Sequence, residues 1–299
     1  MERKIRRSYS DKIFDVVNLL VMIVLLFVFV WPLWFVVIAS VSDPHEVWRG
    51  NVVMFPQGFT LNSYKELVKY TSIWTGYANT IFYTVVGTLV NLIMTVCAAY
   101  PLSRKDFVPR RFFLWMFMFT MYFGGGLIPS YLVVSSLGLI DTRWAMIIPG
   151  AISVYNILIT RTYFMNSIPS ELQEAATLDG ANSLQYLLKI VLPLSKPIIA
   201  VIGLYYAVGH WNDFYTALIY VYDKNLMPLQ SFLRDMLMST KLSLSNLTGM
   251  DAETVARKME LAQTLKYSAI IVSTVPVLCI YPFIQKYFVK GVMIVSVKG

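Results

Sequence analysis

Residues 14–41 read FDVVNLLVMIVLLFVFVWPLWFVVIASV. A helix needs about 20 apolar residues, at 1.5 Å each, to cross about 30 Å of hydrocarbon. This run exceeds that length. A basic start precedes it: Arg3, Lys4, Arg6, Arg7 and Lys12. Those charges suit the front of a signal peptide, but the run is about twice the length of a signal core. Trp31, Pro32 and Trp34 also sit late in it, so the expectation is an uncleaved first membrane helix.

Working outward, five more stretches have spanning length: 78–102, 112–134, 144–165, 197–222 and 267–288. Backbone groups in lipid must be satisfied within their own segment, so each is expected to be a helix. A barrel would instead show short alternating strands. Composition agrees. Of 299 residues, 57% are hydrophobic and 14% charged, with a mean hydropathy of +0.60. A soluble domain carries about a quarter charged residues. An ordinary soluble enzyme, a disordered tail and a fibrous protein are therefore excluded. Aromatics at 15% suit membrane–water boundaries.

Lys and Arg near the helix ends set orientation. The N-terminus, the connection with Arg104, Lys105, Arg110 and Arg111, and the tail with Lys286, Lys290 and Lys298 are expected on the cytoplasmic side. The predicted fold is an all-α polytopic protein of the cytoplasmic membrane. It has six transmembrane helices and both termini cytoplasmic, and residues 1–299 form one transmembrane domain. The net charge of +8 belongs to those flanks, and no basic patch stands apart for nucleic acid. Cys97 and Cys279 lie in apolar runs, which suits no disulfide framework. His45 and His210 have no carboxylate or thiol cluster, so no metal site is expected. Within the loop 223–266, residues 252–266 read as a short helix, and Asn246-Leu247-Thr248 matches a weak glycosylation pattern.

The connection at 166–196 carries the sharpest signal. Residues 168–193 read IPSELQEAATLDGANSLQYLLKIVLP. Pro169, with Glu171 and Glu174 near the positive end, favours a helix start. Ala175 and Ala176 are strong helix formers. Gly180 suits a C-terminal cap, Asn182 caps a second helix, and Pro193 ends it. Small side chains leave one face open to a partner's cleft, and Glu174 and Asp179 offer carboxylates there. The residues alone equally allow an amphipathic loop packed on its own membrane domain.

Glu174-Ala175-Ala176, three residues, Gly180, nine residues, then Ile190-Val191-Leu192-Pro193 matches the EAA loop of ABC importer permeases. The chain also resembles their carbohydrate-uptake, maltose-type branch. The matching segments are Phe55-Pro56, Phe59-Thr60-Leu61-Asn62-Ser63-Tyr64, Gly125-Gly126-Leu127-Ile128-Pro129, Trp211-Asn212-Asp213-Phe214 and the tail from Gln285 to Gly291. The run from Gly124 to Tyr131 looks most like permeases for complex oligosaccharides. The resemblance implies a binding-protein-dependent transport system. A second permease, two cytoplasmic ATPases and an extracytoplasmic solute-binding protein would be its partners, besides carbohydrate and membrane lipid. It implies that Glu174, Ala175, Ala176, Asp179, Gly180, Leu192 and Pro193 couple to the ATPase. The chain has no G-x-x-x-x-G-K-[ST] cradle, so ATP and Mg are expected on the partner ATPase and no cofactor on this chain.

Polar groups within the spans mark either a pathway or interhelical glue. Trp211, Asn212, Asp213, Phe214 and Asn79 are the candidates for a sugar path, with Asn91, Asn156 and His210 nearby in type. Aromatic faces and amide or carboxylate groups are what sugars need. The triple glycine with Pro129 is expected to break the third helix. A secondary transporter would need more intramembrane carboxylates than Asp213. A polytopic enzyme would need a third member beside His210 and Asp213. The loops at 223–266 and 55–64 are expected to meet the binding protein, and the tail at 289–299 to reach the ATPases.

Overall fold

The computed structural model describes residues 9–242, 264–279 and Pro282. The expected tail contacts, the 285–291 motif and the Asn246 pattern lie outside the described residues. So does the expected helix at 252–266, save its last three residues. Among the described residues every regular element is helical. Two are long and apolar enough to cross a membrane, or four if each sharply bent pair counts as one span.

The residues fall into two compact units. The first holds residues 9–69 with 236–242 and 264–272. Its α1, Tyr9–Ser40, runs 32 residues and continues through Pro32. The chain then folds back through two short helices, α2 (Pro44–Trp48) and α3 (Asn62–Val68). Asp43 caps α2 by accepting the His45 amide at 2.9 Å. The return is closed by the Thr60 amide on the Val41 carbonyl at 2.9 Å and by the Tyr64 hydroxyl on Ser40 Oγ at 2.8 Å. Gly58 is required in this turn. Its φ is +61°, and a Cβ there would lie 2.9 Å from Asp43 Cβ.

The second unit holds residues 70–235 with 273–279 and Pro282. Its axis is α4, Thr71–Ser103, 33 residues. Two stripes with i, i+4 spacing run along this helix. Asn79, Tyr83, Gly87, Asn91, Thr95 and Ala99 are buried, whereas Ile81, Val85, Leu89 and Ile93 are exposed. Polar inside and apolar outside is the pattern of a helix whose outer face meets lipid, where hydrogen bonds and small residues hold the bundle together.

The unit's other helices are α5 (Arg110–Tyr122), α6 (Leu127–Ser136), α7 (Val154–Ser167), α8 (Ser170–Leu178), α9 (Ser183–Leu194), α10 (Lys196–Trp211) and α11 (Tyr215–Tyr220). The main core joins α4, α7, α8, α9 and α10 through Ala99, Leu102, Ile157, Phe164, Ala176, Val191 and Ile202. From the second unit α12, Leu229–Leu242, sets out, and α13, Thr264–Cys279, ends there.

Three expected spans are not continuous helices. The third breaks at 123–126, where α5 and α6 meet at 116°. Gly126 at φ +86° supplies that turn, as the triple glycine predicts. The fourth, expected over 144–165, is helical only as α7. A 3-10 turn at Arg143–Met146 precedes it, and Pro149 and Gly150 interrupt the apolar run between. The fifth, expected over 197–222, stops at Trp211 and restarts at Tyr215. Just ahead of the restart the Asp213 Oδ1 accepts the Thr216 amide at 3.0 Å, which satisfies one of the first amides of α11. Asp213 lies beyond the end of α10, so it does not share a helix face with His210.

Candidate functional site

The 166–196 connection folds as its local chemistry dictates. Glu171 occupies the first turn of α8. Gly180 lies just past its end at φ +76°. The Gly180 amide donates to Thr177 O at 3.0 Å and the Ala181 amide to Ala176 O at 2.9 Å. These two bonds form a Schellman motif, which satisfies carbonyls at the helix end. Asn182 then starts α9 with a capping box: its side chain accepts the Gln185 amide at 2.8 Å, and Gln185 accepts the Asn182 amide at 3.0 Å. Within α9 a π-turn spans Leu187–Val191. Pro193 sits in the last turn, and the chain bends 82° into α10.

The surface of this loop divides the expected coupling residues. Glu174, Ala175, Asp179, Gly180 and Pro193 are exposed. A Cβ at Gly180 would meet nothing within 4 Å. Leu178 is 89% exposed, and Leu184 and Leu188 on α9 are also exposed. Ala176 is different. It is 7% exposed and packs into the core with Tyr186, Leu187 and Val191. The expectation that both alanines face a partner is thus corrected for Ala176. A small residue is needed there because this chain's own core comes close. Leu192 is half-buried against the same core.

Behind the loop lies a cleft of 560 Å³ lined by Arg104, Asp106, Ile168, Glu171, Glu174 and Tyr186, among others. On its wall Arg104 grips Asp106 with two parallel bonds, Nε at 2.9 Å and Nη2 at 2.7 Å. The Asp106 hydrogen bond holds the Arg104 guanidinium above its ordinary pKa. The bond from Arg104 pushes the Asp106 carboxyl below the usual range. Burial raises the Tyr186 hydroxyl nearby. Sequence reasoning used Arg104 only for orientation. The Arg-x-Asp spacing at 104–106 was the available signal for this pair.

At the opposite end of α4 the candidate path residues separate. Asn79 is 2% exposed and fully engaged within the chain. Its Nδ2 donates to the Asn225 and Met227 carbonyls at 2.6 and 3.1 Å, and its Oδ1 accepts from Arg143 at 3.3 Å. Tyr83 donates to Leu226 O at 2.7 Å. Arg143 also lies over the Phe82 ring at 4.9 Å. Asn79 therefore anchors the 224–229 segment. Trp211 is buried as well, donating to Ser273 O at 2.9 Å and packing edge-on against Tyr77. Asn212 and Phe214 are exposed and Asp213 is half-buried at the helix break.

Deeper in the bundle, His210 Nε2 and Asn91 Oδ1 lie 2.7 Å apart, and Asn91 Nδ2 donates to Gly150 O at 2.6 Å. A Cβ at Gly87 would overlap the His210 ring, so glycine there permits the contact. Tyr206 and Thr95 share a hydrogen bond of 2.8 Å. This ladder satisfies the backbone where the fourth segment is unwound, which suits glue better than a pathway. Asp141, at φ +58°, accepts the Tyr222 and Asp223 amides at 2.8 and 2.7 Å. Those bonds lower its carboxyl pKa, the Asp223 amide most.

Comparison with known proteins agrees with this architecture. LplC of Bacillus subtilis (strain 168) is 40% identical over 97% of this chain and 96% of its own. The polygalacturonan/rhamnogalacturonan transport system permease protein YtcP, from the same organism, is 39% identical over 97% of this chain and 100% of its own. A permease chain in the crystal structure of a bacterial ABC transporter involved in the import of the acidic polysaccharide alginate superposes with a TM-score of 0.85. It shares 34% identity, and the match covers 95% of this chain and 100% of that one. Residues 3–294 match the family described as binding-protein-dependent transport system inner membrane component. The chain belongs to that family and is a multi-pass membrane permease.

Proposed function

We propose that this chain is the translocation subunit of an ATP-driven importer that carries an oligosaccharide across the cytoplasmic membrane. Residues 1–299 act as one transmembrane domain with six spans and both termini in the cytoplasm. The 166–196 loop then lies in the cytoplasm. Broken spans at 123–126, 147–153 and 212–214 fit this count, because irregular backbone is tolerated at membrane depth where it lines a cavity or is buried in protein. Its partners are a second permease, two ATPases that hold ATP and Mg, and an extracytoplasmic solute-binding protein.

One observation carries the reading. Glu174, Ala175, Asp179 and Gly180 form a shaped, exposed surface on a short helix, with Leu178 almost wholly uncovered next to it. This uncovered helix end leaves a surface open to a partner. The ATPase is that partner: Glu174 and Asp179 meet its basic or amide groups, and Leu178 seats in its cleft. The names of the relatives support the cargo class: YtcP is named for polygalacturonan and rhamnogalacturonan transport, and the solved transporter for import of the acidic polysaccharide alginate. Asn212, Asp213 and Phe214 offer amide, carboxylate and aromatic groups at the helix break, and sugars pass there. Trp211 and Asn79 shape that region from behind.

The test is uptake in cells of the source organism. Deleting the chain should abolish uptake of one class of labelled oligosaccharide while monosaccharide uptake persists. Wild-type chain restores it. Normal uptake of every oligosaccharide tried, including pectin- and alginate-derived ones, would refute the reading.

A further inference from the structure

The last turn of α4 is tied to the coupling loop by a chain of hydrogen bonds with a forced direction. Arginine has donors and no acceptor. The 2.8 Å bond between Arg104 Nη1 and Tyr100 Oη must therefore run from Arg104 to the tyrosine oxygen. That leaves the single Tyr100 proton for the Ser183 carbonyl, 3.1 Å away. Asp106 fixes the other edge of the guanidinium, and Arg110 Nη1 holds the Arg104 carbonyl at 3.2 Å. The Arg104 side chain is 16% exposed, whereas Asp106 is 60% exposed and meets water at the outer edge of the latch.

The bond lands at a sensitive point. Ser183 begins α9, and its carbonyl also receives the Leu187 amide. The hydrogen-bond register changes there, since the π-turn starts at Leu187. Such turns are frequent at functional sites. On the other side of the latch, α4 runs unbroken from Ser103 back to Thr71, and Asn79 holds the 224–229 segment at its far end.

We propose that Tyr100, Arg104 and Asp106 form a latch that transmits movement of the coupling loop to α4, so that Tyr100 and Arg104 are positioning residues for coupling ATP hydrolysis to transport. The inference rests on the importer reading above. The loop docks on its exposed side, α4 carries the buried polar stripe that holds the bundle together, and the Tyr100 proton is a polar link between the α4 end and the start of α9. When the loop is drawn by the ATPase, α4 follows through this link. Without it the loop moves on its own core contacts and α4 lags.

Tyr100→Phe keeps the ring in the core and removes only the proton. Arg104→Lys keeps the charge but cannot grip Asp106 with a fork and reach Tyr100 at once. The experiment places the whole importer, with its ATPases and binding protein, in lipid vesicles. Complex yield, ATP hydrolysis and sugar uptake are read together. The expected result is normal yield and normal hydrolysis with uptake per ATP reduced about 5-fold, the effect of one lost hydrogen bond. The double variant should be no worse than the worse single one, because both break the same link. Unchanged uptake per ATP in both variants would overturn the latch. So would a loss of hydrolysis and uptake in equal proportion, which a merely structural role produces. Wild-type vesicles that take up nothing on ATP addition would overturn the importer reading and the latch with it.

Discussion

Alanine at Gly180 would put a Cβ on a backbone held at φ +76°. Left-handed backbone costs a residue with a Cβ about 1–2 kcal/mol. No neighbour lies within 4 Å of the new atom, so no steric clash adds to this figure. Nor does any of it fall on the core, because Gly180 is exposed. The strain falls on the turn between α8 and α9, and the chain relieves it by giving up the two Schellman bonds. A shift of 1–2 kcal/mol is a factor of about 5–30 in the ratio of native to altered turn, and docking to the native turn alone must make up that difference. Titrating the partner ATPase into lipid-embedded permease should show docking weakened about 5–30-fold for Gly180→Ala, with thermal stability of the permease unchanged. Gly180→Asn should weaken docking least, since Asn visits this backbone region readily. Gly180→Val should lie at the upper end. Wild-type docking by Gly180→Ala would refute the reasoning, as would equal weakening by Ala and Asn.

Three further outcomes follow from the same geometry. Ala176→Trp should overpack the core by about 1–3 kcal/mol and lower thermal stability and yield, whereas Ala175→Trp should leave stability intact and block ATPase docking; purification and melting curves separate them. Asn79→Ala strips the Asn225 and Met227 carbonyls of their donor and should destabilise the unit by about 1–3 kcal/mol, leaving the choice of sugar unchanged in competition assays. Asp141 has a lowered carboxyl pKa, so its hold on residues 222–223 is present above the unfolded carboxylate range and is lost as pH falls through the lower folded value. Protease resistance of that turn should be flat from about pH 5 to 8 and fall only below about pH 4, and Asp141→Ala should lower it at every pH.

The coupling loop was legible in the sequence because short-range rules build it. Gly180, Asn182 and the i, i+3 pair of Asn182 and Gln185 each act within one turn. The facing of Ala176 was not legible, because two adjacent alanines look alike until the core partners at 186, 187 and 191 are in place. The spans were legible as apolar runs but their breaks only partly so. The triple glycine announced one break. At 212–214 the polar Asn212-Asp213 pair looked like a pathway, although Asp three residues before Thr216 is also a helix start. Asn79 is a different case. A buried amide in a span shows its chemistry in sequence but not its partners, which here lie 146 and 148 residues away. The Tyr100, Arg104 and Asp106 chain was equally hidden, since its third contact is the backbone carbonyl of Ser183.

The most direct test of the importer account is sugar accumulation inside vesicles that hold the permease pair with its ATPases. Oligosaccharide and binding protein are supplied on one side, and ATP and Mg on the ATPase side. The account predicts accumulation against a gradient that needs ATP and binding protein together and is lost with Ala175→Trp. Accumulation driven by an ion gradient without the ATPases would contradict it.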